Sequence, residues 1–252
     1  MLDLIALWKY TRMVVLVALI AAVYAAILIP FKVAIPLIPG FTEVRPANVI
    51  PVICSLMFGP AAAWGSAFGN LAGDIYGGSL GIGSAFGFAG NFLYGYLPYK
   101  YWQRACRLGV GEPDMGSGRA VGAYVGAAIV ASAACAFVIA WGVDAFRMVP
   151  FQALGPIIVV NNATVAIILG LPLMRVLYPR VRRWGLLYQD VMRPEDLPQG
   201  RVASVAAVLV IASSIVGLVA GTALGALYHG HLGLTLSMSP FVALLLIGAA
   251  LL

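Results

Sequence analysis

The sequence predicts an all-α integral membrane protein: a six-helix bundle over residues 1–175, a basic loop over 176–201, and about two additional C-terminal transmembrane segments over 202–252. Three observations carry this. The chain is 62% hydrophobic and only 10% charged, with a mean hydropathy of +0.99, whereas soluble domains are about a quarter charged. Several stretches carry no charge over the roughly 20 residues that a helix needs to cross a hydrocarbon core about 30 Å thick. Strand-length alternating segments are absent, and in lipid the backbone must bond internally, so the spans are expected to be helices.

The elements follow in order. Met1–Arg12 is a short amphipathic entry and Met13–Ile29 the first span. Pro30 and Lys32 follow it in place of a small-residue cleavage site, so it reads as an anchor and not as a signal peptide. Residues 31–46 form a loop with Lys32, Glu43 and Arg45. Asn48–Phe58 is apolar but only ~17 Å long as a helix. Gly59-Pro60 breaks it, and Pro60 suits the first turn of a new helix that runs to Tyr76. These two pieces either cross separately or form a re-entrant hairpin. After a glycine loop at 77–83, Ser84–Trp102 spans and ends in an aromatic belt of Tyr94, Tyr96, Tyr99, Tyr101 and Trp102. Val121–Trp141 and Phe151–Leu173 span next, joined by a short loop at 142–150. Val202–Leu227 makes another span, and Leu232–Leu252 would reach ~31 Å as a helix.

The net charge of +6 does not point to nucleic acid, because the basic residues sit in short clusters between apolar runs. Of the 15 Lys and Arg residues, Lys32, Arg45 and Arg147 fall on one side of the predicted spans and the other twelve on the opposite side. This asymmetry predicts a multi-pass membrane protein with its N-terminus in the cytoplasm. The loops at 30–46, 77–83 and 142–150 then face outward. Cys54, Cys106 and Cys135 are too scattered for a metal site or a disulfide framework. His229 and His231, two residues apart, do not share a helix face. Gly81, Gly83 and Gly87 lack the lysine and preceding strand of a nucleotide loop. No cofactor and no metal is expected, and no nucleophile and base at recognisable spacing suggest an enzyme.

Polar side chains inside apolar segments are costly to bury without partners, which makes them functional candidates. Asn48, Asn70, Asp74 and Asn91 lie within a few turns of the outward side, and Asn70 and Asp74 share a helix face. Asn161 and Asn162 sit deeper in the sixth segment. With Glu43 and Arg45 in the outer loop and Trp141 nearby, they predict a substrate pocket open to the outside. An intramembrane Asn also serves as interhelical glue, contributing about 0.6 kcal/mol. Ala18, Ala22 and Ala26 form a small-residue stripe on the first span, and Ala61, Gly65, Gly69 and Gly73 form another that suits packing within the bundle.

The run Thr42-Glu43-Val44-Arg45-Pro46-Ala47-Asn48-Val49-Ile50-Pro51, the break at Phe58-Gly59-Pro60, Phe68-Gly69-Asn70 to Asp74 and the alanine stripe resemble the substrate-binding S-components of energy-coupling factor (ECF) transporters. The queuosine-precursor and thiamine-precursor members are the nearest in character. The resemblance covers residues 10–175. It implies a subunit of a prokaryotic cell (inner) membrane that captures a vitamin, a vitamin precursor or a related micronutrient from outside. It also implies docking through Ala18, Ala22 and Ala26 on a transmembrane coupling subunit driven by two cytoplasmic ATPases. The alternative is a self-sufficient secondary transporter in which Asp74 carries a coupling proton.

Overall fold

In the computed structural model the described residues are 2–34, 36–38, 42–43, 45–197, 203–227 and 237–252. His229 and His231 lie outside them. The chain forms α1 (Leu2–Ala6), α2 (Thr11–Ala34), a short antiparallel hairpin of β1 (Pro36–Ile38) and β2 (Thr42–Glu43), a 3-10 turn at Pro46–Asn48, α3 (Val49–Phe58) and α4 (Pro60–Tyr76). Then come α5 (Ile82–Arg107), α6 (Gly118–Ala145), α7 (Phe151–Arg183), α8 (Tyr188–Val191), α9 (Ala203–Leu227) and α10 (Ser239–Leu251). The protein is all-α in its body, and α2, α6, α7 and α9 are long and apolar enough to cross a membrane. Although α5 has 26 residues, Lys100, Arg104 and Arg107 make it more polar.

Several expected boundaries move. The first helix passes through Pro30 to Ala34, which puts Lys32 on its last turn. Likewise α7 runs through Pro172 and Pro179 to Arg183, so the first part of the basic stretch is helix and not loop. Of the last apolar run only Ser239–Leu251 is described as a continuous helix, 13 residues or ~20 Å.

The region left open by the sequence folds as two separate helices that meet at Gly59, and α3 does not run the length of the bundle. Tyr24 and Tyr94, midway along α2 and α5, meet Asn48 through their hydroxyls, so the 3-10 turn lies about halfway down the bundle. From there α3 runs ~15 Å to the end where the basic residues collect; the backbone of Gly59 abuts the ring of Tyr188 there. Between the end of α2 and α3 the chain is carried by the hairpin and the 3-10 turn. Non-helical backbone at such depth is tolerated only where protein or a cavity surrounds it, and here α2, α4, α5 and α7 do so. At Gly59 the backbone φ is +53°, a conformation open to glycine at little cost, and Pro60 starts α4.

The glycine stripe of α4 packs against α2. Side chains at Gly65, Gly69 or Gly73 would collide with Ile20, Tyr24 and Leu28, which is the internal use anticipated for it. The helices beyond the bundle are docked on it by the same device: Gly217 and Gly221 of α9 meet the rings of Phe137 and Phe151 on α6 and α7. At the basic end α1 is tied in by a buried ion pair between Asp3 and Lys100 (3.1 Å), and Lys100 also donates to the carbonyl of Leu252 (2.9 Å). Tyr10 donates to Asp196 at 2.5 Å, and this hydrogen bond, helped by Lys9, holds the Asp196 carboxyl below the usual carboxylate range.

Candidate functional site

At the end opposite the basic residues, the last turns of α2 and α4, the first turns of α5 and α7 and the end of α6 enclose a cavity of about 100 Å³. Its polar wall is built from Lys32, Arg45, Asn70, Asp74, Asn91 and Asn162, and its apolar wall includes Ile139, Leu154 and Ile158. A second cavity of about 590 Å³ opens at the basic end beside Tyr99, Trp102 and Tyr178. The smaller one is the candidate site, because buried amides and charges converge on it from five elements, the arrangement typical of specific small-molecule sites.

Each polar group is held in place. Asn70 and Asp74 project from one face of α4 because they are four residues apart. Asp74 pairs with Lys32, both side chains being about nine-tenths buried. Arg45 donates to Asn70 Oδ1 (3.2 Å), and Asn70 Nδ2 lies 3.4 Å from Asp74 Oδ2. Deeper, Tyr24 Oη is 2.9 Å from Asn48 Oδ1 and 3.2 Å from Asn91 Oδ1. Asn48 Nδ2 donates to Asn162 Oδ1 (2.5 Å), and Tyr94 Oη lies 3.0 and 3.1 Å from the backbone carbonyls of Asn48 and Asn162. This buried network forms the floor of the cavity. Fully paired networks of this kind fix one arrangement, whereas unpaired members are costly.

The residues singled out in the sequence separate into groups. Arg45, Asn70, Asp74 and Asn91 line the cavity together. Asn48 is just beneath it, buried and held by Tyr24 and Asn162. Asn161 is not on the cavity wall; Asn162 takes that place. Neighbouring helix positions point about 100° apart, and Asn161 faces the outer side of α7 in a shallow groove with Leu37 and Val160. Trp141 also misses the cavity. The α6 residues that reach it are Cys135, Ile139 and Val143, at four-residue spacing, and Trp141 instead packs edge-on to Phe86 at 6.1 Å. Glu43 ends β2, and its side chain lies outside the described residues. Ala18, Ala22 and Ala26 are all exposed on the outer face of α2.

Sequence reasoning missed Lys32, read as a loop charge, and the two tyrosines of the floor. The expected aromatic belt is corrected as well: Tyr94, Tyr96 and Tyr99 are all buried, with at most 1% exposure. The hydroxyl of Tyr99 donates to Asp3 and that of Tyr94 serves the floor. Spacing held the signal, since Asn91 and Tyr94 are three residues apart and share a helix face.

The pattern of a family described as QueT transporter matches residues 14–179. The chain belongs to the QueT transporter family. The match spans α2 to α7 through Pro179, and so includes every residue of the cavity wall and floor. Members of the QueT transporter family are transport proteins and not enzymes, so this chain serves membrane transport of a small molecule. The helices α9 and α10 lie beyond the matched residues. No curated protein and no solved structure matches the chain.

Proposed function

We propose that this QueT-family protein is the substrate-capture subunit of an ECF-type importer and that its ligand is a queuosine precursor, a base of the 7-deazaguanine class. The cavity among Arg45, Asn70, Asp74, Asn91 and Asn162 receives the ligand from outside. A partner subunit docks on α2 and is powered by two separate cytoplasmic ATPases. Membership of the QueT family supports the queuosine-precursor option over the thiamine-precursor one.

The observation that carries the division of labour is the outer face of α2. Ala18, Ala22 and Ala26 are exposed, while Val17, Ile20, Tyr24 and Leu28 of the same helix are buried. The exposed side of α2 also carries Val15, Leu19 and Val23, so the alanines form a small-residue groove beside a ridge of larger side chains. Such a groove permits close approach of another helix, which in lipid is driven by packing and not by hydrophobicity. The cavity lies on the far side of the α2–α4 seam, so capture and docking use different surfaces. The experiment is reconstitution in liposomes: uptake should require the coupling subunit and both ATPases. Uptake by the protein alone, driven by a proton gradient, would favour the secondary-transporter alternative.

The cavity faces outward in this reading, which the asymmetry of Lys and Arg supports. Because Cys106 is an exposed thiol at the basic end, labelling is read in a Cys106→Ser background. Leu80→Cys and Phe146→Cys should react with an impermeant thiol reagent on intact cells, and Leu108→Cys and Trp184→Cys only after lysis; all four native side chains are well exposed. The opposite pattern would invert the topology.

A further inference from the structure

We infer that Asp74 Oδ2, with the amide of Asn70 beside it, is a preformed edge that selects a guanine-type lactam, a ring N–H beside a C=O, over an adenine-type amidine. This rests on the queuosine-precursor reading and names the groups that would discriminate within it.

The hydrogen bonds leave a specific set of groups unspent. Asp74 Oδ1 is taken by Lys32. Its Oδ2 faces Asn70 Nδ2 at 3.4 Å, longer than the usual 2.7–3.2 Å, so that oxygen keeps most of its capacity to accept. Arg45, donating to Asn70 Oδ1, sets the amide with its nitrogen towards Asp74. A carboxamide nitrogen has two N–H donors, and one of those on Asn70 is left over. Asn91 lines the same cavity: its Nδ2 donates once to the Gly87 carbonyl at 2.9 Å, and a second N–H remains.

Gly87 keeps this edge open. A Cβ there would stand 2.9 Å from Asn70 Nδ2 and 3.8 Å from Asp74 Oδ2. The wall therefore offers one acceptor with the Asn70 donor beside it, Asn91 supplies a further donor to the same cavity, and all three side chains are buried, at 2–7% exposure. Its complement on a flat ring is an N–H donor next to a carbonyl acceptor. An amidine edge places a ring-nitrogen lone pair where the lactam has N–H, which sets acceptor against acceptor at Asp74. Sites built from buried polar groups reject ligands that leave those groups unpaired far more strongly than apolar pockets reject misfits.

The test is calorimetric titration of the purified full chain in detergent with 7-deazaguanine and 7-deazaadenine, which share a skeleton and differ at this edge. The wild type should prefer 7-deazaguanine by roughly thirtyfold or more. Asp74→Asn, which puts a donor where the acceptor stands, should lower 7-deazaguanine affinity at least about tenfold and reduce the preference to roughly threefold or less. Gly87→Ala leaves the Lys32 pair in place and crowds Asn70, and it should also reduce the preference; it decides the matter if Asp74→Asn cannot be recovered folded. Equal affinity of the wild type for the two bases, or a preference unmoved by both variants, overturns the edge while leaving the substrate reading in place. Binding of neither base overturns the substrate reading, and the edge with it.

Discussion

Ala22→Trp is expected to abolish recovery of a coupling subunit with the protein and to end uptake, while the isolated protein keeps its ligand affinity. Ala22 is exposed on α2, between Ala18 and Ala26, and points away from the α2–α4 seam. An indole there meets lipid in the isolated protein and costs little. Against a partner it would stand where two backbones must come close. Gly69→Leu supplies the contrast. A Cβ at Gly69 already falls 2.9 Å from the Ala21 carbonyl and from Tyr24, so a leucine overpacks the seam at about 1–3 kcal/mol. It also disturbs Tyr24, whose hydroxyl sits between the amide oxygens of Asn48 and Asn91. For Gly69→Leu, affinity, partner recovery and thermal stability should fall together. If affinity collapses in Ala22→Trp as well, the outer face of α2 is structural and the docking proposal fails.

The second large effect is expected from a pair of adjacent residues. Asn162→Leu removes the acceptor of Asn48 Nδ2, at 2.5 Å, and replaces a polar group of the cavity wall with a branched alkyl group. A buried amide left without its partner costs about 1–3 kcal/mol, and melting in detergent should register that loss. Ligand affinity should fall at least about tenfold, equivalent to 1.4 kcal/mol, because the floor that positions Asn91 and Asn48 is broken. Asn161→Leu should leave affinity unchanged and alter stability by no more than about 0.6 kcal/mol, the usual worth of an intramembrane amide. Measuring melting and binding on both variants separates the two faces of α7. Equal losses would mean that the helix is rotated from the orientation described.

The correction at Asn161 and Asn162 shows where sequence reasoning stops. Both residues were visible as polar groups in an apolar run, and their cost in lipid made them candidates. Which of them faces inward depends on the rotation of α7 about its axis, and that is set by its packing on α3, α6 and α9. No periodicity marked the inward face, because a helix touching both protein and lipid is apolar all round. Trp141 failed for the same reason. Asn70 and Asp74 were legible because their spacing of four fixes a shared face whatever the rotation.

The sequence by itself determined that the chain lives in a membrane, that its elements are helices, and where most of them break. Those follow from the cost of placing charge and unpaired backbone in lipid, and from the backbone preferences of Gly59 and Pro60. It also marked two small-residue stripes and the internal use of the glycine one, and not the helix it packs against. Only the tertiary structure decided that the glycines of α4 close on α2 while Ala18, Ala22 and Ala26 stay exposed, that Lys32 extends the first helix to reach Asp74, and that α3 begins halfway down the bundle on a floor made by Tyr24, Tyr94 and Asn162. The physical reason is that these facts are pairings between residues 24 to 114 positions apart, and such pairings are chosen by how helices of similar hydrophobicity fit one another, a property of shapes that composition and spacing leave open.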